Sequence, residues 1–178
     1  YNNARIGLVV PTYVSINSIK ELNKNHNQFS GEIIGIDAGA GIMKSTIQAI
    51  ADYPLDIELR SSSGTAMTAL LKKATDAKKW IVITGWQPHW MFSVFDLKFL
   101  DDPKKSFGEA ESIFTISRKG FSADDPFAGN FFSNLKLNDE QLSSLLNYFN
   151  TISDETEAAN KWIDENRELV DSWISGKQ

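Results

Sequence analysis

Between Gly31 and Trp90 the chain twice carries a short β-branched apolar run into a glycine-marked turn, with amphipathic stretches between. That alternation restricts the chain to a sheet covered by helices. The first run, GEIIGIDAGAGIMKSTIQAIADY, reads as a strand (Ile33 to Ile36), a turn Ala38-Gly39-Ala40-Gly41 and a helix beginning near Ile42. First-turn N–H groups of a helix lack intrahelical partners, and the macrodipole is positive there, so an anion can bind without a cationic side chain. The second run, KKWIVITGWQPHWMF, reads as a strand (Trp80 to Thr84) followed by Gly85-Trp86-Gln87-Pro88-His89-Trp90. Indole faces attract cations, quaternary ammonium groups above all. Together the two turns suit a small zwitterion carrying a carboxylate and a bulky cation.

Each turn also has a plainer reading. Glycines between strand and helix are ordinary punctuation, and Gly39 and Gly41 serve as such without any ligand. Trp80 reads as core. Trp86 and Trp90 flank Pro88 and are expected on a turn at the strand's C-terminal end, where open α/β sheets form ligand crevices. Trp86 is the preferred ligand contact, and Trp90 reads as packing.

The 178 residues, 42% of them apolar, suffice for one domain or two small lobes. A net charge of −5 argues against a nucleic-acid or anionic-membrane surface, which needs clustered Lys and Arg. The pairs Lys72-Lys73 and Lys78-Lys79 read as a solvated helix face. No apolar run approaches the roughly 20 residues of a membrane-spanning helix, and no signal peptide is visible. With no cysteine, disulfides and thiolate chemistry are excluded, and no metal or cofactor is expected. The chain opens at Tyr1 and enters the buried-strand pattern Ile6 to Val10 almost at once, which suggests that residues upstream have been removed.

The pattern predicts strand 4–10, helix 16–24, strand 32–37, helix 42–53, strand 56–61, helix 64–76, strand 80–84, an irregular stretch to about 112, and a strand at 113–118. This βαβ order implies a parallel or mixed sheet. Ser63 should cap the third helix, with Ala66, Leu70, Leu71 and Ala74 as its apolar stripe. Beyond Arg118 only helix signals remain. Asn138 with Gln141 forms a capping-box pattern, and one last helix is predicted from Asp154 to Ser175, with Trp162 and Trp173 in its apolar face. Strands 4–10 and 113–118 are expected at an edge of the α/β block, as hinges between lobes.

Catalytic groups are thin. His26 sits in the polar run Asn23 to Gln28, and His89 has no neighbouring nucleophile motif, so it reads as a packed or hydrogen-bonded histidine. Asp101-Asp102 and Asp124-Asp125 read as turns. Gly39 to Ser45 superficially suggests a phosphate loop, but Met43 stands where glycine must precede the lysine and Ala38 where an earlier glycine is required; a dinucleotide fingerprint fails at Lys44. The chain therefore reads as a binding protein and not an enzyme; a ligand-sensing α/β domain for another small zwitterion or anion is the alternative.

The segments ARIGLVVPTYV, IIGIDAGAGIM, SSSGTAMTALLKKA, IVITGWQPHWMF and LKFLDDPKKSFGEAESI resemble the glycine betaine-binding proteins of osmoprotectant ABC transporters. The resemblance implies a two-lobed, type II periplasmic-binding-protein-like α/β flytrap outside the cell, lipid-anchored or fused to its permease. Glycine betaine, and in some relatives proline betaine, is the implied ligand; the permease is the implied partner. Carried over by position, Gly41 and Ile42 donate backbone N–H groups to the carboxylate, and Trp86 is one wall of the aromatic cage. The family's further segment, which supplies the other cage tryptophans and a histidine, has no counterpart here, and His89 does not replace that histidine. The resemblance thus implies one complete lobe (8–112) and, over 113–178, a return strand and C-terminal helices that would pack on the other lobe, whose sheet is missing. Such helices predict self-association.

Overall fold

β1 (Arg5–Pro11) is an unbroken apolar run in which Leu8, Val9 and Val10 are fully buried, as suits a strand covered on both faces. In the computed structural model, which describes residues 1–175, β1 lies between β4 (Ile83–Gln87) and β5 (Leu97–Phe99), antiparallel to both. β2 (Glu32–Ile34) runs parallel to β3 (Glu58–Arg60) and to β4, which gives a mixed five-stranded sheet of order β3-β2-β4-β1-β5. The sheet belongs to one of two compact units, Ala4–Gln87 with Val94–Glu111. The other unit comprises Tyr1–Asn3, Pro88–Ser93 and the chain from Ser112 onward.

In the sheet unit, Leu8, Val10, Ile33 and Val82 share a core with Ile42, Met43 and Ala49 of α1 (Gly41–Asp52). Helix and strand approach closely at Gly35, where a Cβ atom would lie 2.4 Å from Met43 Sδ. α2 (Gly64–Asp76) starts at Ser63, whose hydroxyl accepts from Ala66 N at 3.1 Å, as expected of that cap.

The helical unit contains α3 (Met91–Val94, its last residue in the sheet unit), α4 (Phe121–Asp124), α5 (Pro126–Asn134), α6 (Asp139–Thr151), α7 (Glu155–Glu165) and α8 (Arg167–Ser175). Asn138 and Gln141 form the expected capping box at the start of α6. Trp162, Val170 and Trp173 make its core, the two indoles stacked at 6.3 Å, so both tryptophans are structural as expected. Asp125 caps α5, and Asp102 accepts from Tyr53 Oη at 2.5 Å and Phe107 N at 2.9 Å; these aspartates are cap and turn residues.

Several elements depart from the expectation. Helix 16–24 is replaced by two 3₁₀ turns, Ile19–Glu21 and Asn23–Phe29, because Asn side chains compete for the backbone: Asn25 Nδ2 donates to Glu21 O at 2.9 Å. The stripe of α2 is Met67 and Leu71, both fully buried, while Ala66 is exposed. The last helix is two, separated at Asn166, whose side chain bonds back to Trp162 O at 2.8 Å. The stretch expected to be irregular contains β5, which takes the outer position and makes β1 an interior strand, not an edge. Residues 113–118 form no strand. Ile113 N donates to Tyr1 O at 2.8 Å, but Phe114 is 75% and Ile116 91% exposed. β-branched residues favour an extended backbone, yet a strand also needs a neighbouring edge to pair with.

Candidate functional site

Because β2 and β4 are adjacent and parallel, with Ile34 opposite Ile83, their carboxyl ends lie at the same end of the sheet. α1 starts there after β2, and Trp86 stands there near the end of β4. Crevices at the carboxyl ends of parallel strands are where open α/β sheets bind ligands. Gly41, Ile42 and Trp86 therefore lie at one end of one unit. Ile42 is in the core cluster against which the half-buried Trp86 and Ala40 pack.

The start of α1 differs from those of α2, α5, α6 and α7. Those four carry Ser63, Asp125, Asn138 and Asp154, each accepting a backbone N–H with its side chain. α1 has Ala40 in the capping position, which offers no acceptor. Ala40 N donates to Asp37 O and Met43 N to Ala40 O, while the N–H groups of Gly41 and Ile42 have no acceptor among the described residues. Gly39 and Gly41 both have ordinary negative φ, so neither is there to permit a left-handed turn. A Cβ at either would meet nothing within 4 Å. At Gly41 the backbone is thus uncovered beside N–H groups that have no acceptor among the described residues.

Trp86 corrects one expectation: it belongs to β4 and not to the turn after it. The antiparallel ladder from Arg5↔Gln87 to Val9↔Ile83 prolongs β4 past Gly85 and sets Trp86 opposite Ile6. On the other face of that ladder, Arg5 Nε donates to Gln87 Oε1 at 3.0 Å, and its guanidinium lies 4.2 Å from the centre of the Phe99 ring. Phe99 in turn covers Gly7, whose absent Cβ would be 3.0 Å away. The strand bearing Trp86 is thus held from behind by side chains that local patterning could not reveal. The glycine spacing of Gly7 and Gly85, paired across the ladder, was the available signal.

Trp80 packs on Phe29 with ring centres 5.3 Å apart, in agreement with a core role. Within the helical unit, His89 Nδ1 accepts from Met91 N at 3.1 Å, and burial pushes its pKa down to about 4. It is a neutral, turn-stabilising histidine, in line with the sequence expectation. No group of three or more His, Cys, Asp or Glu that could hold a metal occurs among the described residues. Nor is any described helix long and apolar enough to cross a membrane.

Residues 1–165 match the family described as the substrate binding domain of ABC-type glycine betaine transport systems. The chain belongs to this family. It is 49% identical over 152 residues to the glycine betaine/carnitine transport binding protein GbuC of Listeria monocytogenes, covering 84% of this chain and 51% of that protein. The chain thus spans about half the length of that curated relative. Among solved structures it resembles lactococcal OpuAC in its closed, liganded conformation with glycine betaine (TM-score 0.72, 38% identity, 97% of this chain and 68% of that one). It likewise resembles the glycine betaine/L-proline-binding protein ProX of Borrelia burgdorferi (TM-score 0.70, 37% identity, 98% and 67%). The fold is the mixed α/β fold of type II periplasmic binding proteins, and the family is one of transport binding domains.

Proposed function

We propose that this chain belongs to an extracytoplasmic substrate-binding protein that captures glycine betaine, or a related betaine such as proline betaine, for an ABC importer. The observation that carries the reading is the juxtaposition of an uncapped helix start with a tryptophan at one end of the sheet, in a member of this family. Gly41 and Ile42 N–H groups receive the carboxylate, and the Trp86 face receives the trimethylammonium group, whose methyls offer no conventional hydrogen bond. The lobe over 8–112 carries these contacts; the helices between 113 and 175 pack on a second lobe that completes the cage. In that setting the protein is held at the membrane by a lipid anchor or by fusion to the permease, and closure of the lobes is what the permease reads.

Magnitudes set the expectation for this chain alone. One ring contributes about 0.5–2 kcal/mol and one helix start about 0.3–2 kcal/mol. Their sum stays at or below the roughly 4 kcal/mol of a millimolar complex. Titration with glycine betaine, followed by amide and indole NMR shifts, should therefore show millimolar or weaker binding, with shifts at Gly41, Ile42 and Trp86. Choline lacks the carboxylate and glycine lacks the quaternary cation, so each should bind more weakly. Trp86→Ala should weaken betaine binding by about 2- to 30-fold, corresponding to the loss of one ring contact. Unchanged affinity in that variant would remove Trp86 from the site, and choline binding as tightly as betaine would remove the carboxylate contact.

A further inference from the structure

Away from Gly41, Ile42 and Trp86, the sheet unit has a concavity of about 320 Å³, between α2 and the start of β4. That volume is at the small end of ordinary ligand pockets. Its floor is apolar: Phe29, Ile34, Trp80 and Ile81, closed on one side by Leu70 and Ala74 of α2. Its rim is cationic. Arg60, Lys73 and Lys79 line it with Glu32 as the single carboxylate, in a chain whose net charge is −5.

The state of those charges decides what the groove suits. Glu32 already pairs with Arg60 at 3.3 Å, and both remain partly exposed. Among neighbouring cations, Lys72 pairs with Asp76 at 2.7 Å and Lys78 lies 4.9 Å from the centre of the Tyr13 ring. Lys73 and Lys79 have no ion pair among the described residues. One opposing effect is the C-terminal end of α2, with a partial negative charge of about half a unit. Its carbonyls are occupied, however: Ala74 O accepts from Lys79 N at 2.9 Å, and Lys73 O from Ala77 N at 3.3 Å. Two unpaired ammonium groups outweigh what remains.

We propose that this groove binds a small amphipathic carboxylate, its aliphatic or aromatic body on Trp80 and Phe29 and its anionic end between Lys73 and Lys79. The inference is independent of the betaine reading, since it involves neither the α1 start nor Trp86. A quaternary zwitterion is a poor occupant here because its bulky cation would face the cationic rim.

The test is a titration of the chain with sodium octanoate below its micelle concentration, read by tryptophan fluorescence. Octylammonium chloride is the charge-reversed control and Trp80→Phe the reporter control. Octanoate should give a saturable change that disappears in Trp80→Phe and exceeds octylammonium by at least about tenfold in affinity. The double variant Lys73→Glu with Lys79→Glu, both exposed positions, should keep its circular dichroism and invert that preference. Equal binding of the two amphiphiles would overturn the proposal. So would an octanoate response surviving in Trp80→Phe or in the double variant, or a larger Trp80 response to vesicles of anionic lipid than to free octanoate. Glycine betaine added alongside should leave the octanoate response unchanged, and competition would place octanoate in the betaine site instead.

Discussion

The sheet unit and the helical unit both carry large apolar side chains, yet they bury them to different degrees. In the sheet unit, Leu8, Val9, Val10, Ile33, Val82, Met67 and Leu71 are all fully buried, enclosed by strands and helices of the same unit. In the helical unit a small core of Trp162, Val170 and Trp173 coexists with Phe127 at 66% exposure, Phe114 at 75% and Ile116 at 91%. Trp162 is buried, but its indole N–H has no acceptor among the described residues. A buried polar group without a partner costs free energy, and so do large apolar groups left in water. The lesson is that a sheet lets a chain enclose its own core, whereas short amphipathic helices each need another surface for every apolar face.

The strongest way to break this comparison is to remove one large core side chain from each unit and follow amide exchange locally. Trp162→Ala should reduce the protection of α7 and α8 by about 3–5 kcal/mol, and Leu8→Ala that of β1 and β4 by about 2–5 kcal/mol. If Trp162→Ala left α7 protection unchanged, the helical unit would have no core of its own. A smaller effect, about 1–3 kcal/mol, is expected from Gly35→Ala, since its Cβ would fall 2.4 Å from Met43 Sδ and force the helix away from the strand. A melting temperature equal to that of the parent would show that Met43 swings aside at no cost.

His89 sharpens the contrast through pH. Its folded pKa, about 4, lies below the ordinary value near 6.5, so between those values the unfolded chain binds the extra proton. The stabilisation by neutral His89 is therefore complete above about pH 6.5 and declines as pH falls toward 4. His89→Gln should flatten that part of a stability–pH profile; a profile with the parent slope would mean other groups cause it. The smallest effect on stability is expected from Phe114→Ser with Ile116→Ser, within about 0.5 kcal/mol because both side chains are already in water. The same pair should reduce self-association in sedimentation, and an unchanged profile would clear this segment of any part in it.

Much of this was legible in the residues. The Ser63 cap and the length of α2, the Asn138–Gln141 box and the core roles of Trp162 and Trp173 follow from local hydrogen-bond competition and 3.6-residue periodicity, which act within one turn of helix. The helix after the turn Ala38 to Gly41 was also readable, but that its N-cap, Ala40, offers no side-chain acceptor came from the structure. The 3₁₀ turns at 19–29 were not, because the side-chain bonds of Asn25 outweigh a weak periodicity.

By itself, then, the sequence determined most of the alternation of strands and helices, the Ser63 cap and the Asn138–Gln141 box, all of them properties of neighbours along the chain. Only the tertiary structure decided that β1 is interior, that β4 extends to carry Trp86, and that residues 113–118 form no strand. The reason is that strand identity depends on a partner edge. Arg5 and Gln87 are 82 positions apart, and nothing in either local segment records that they will meet.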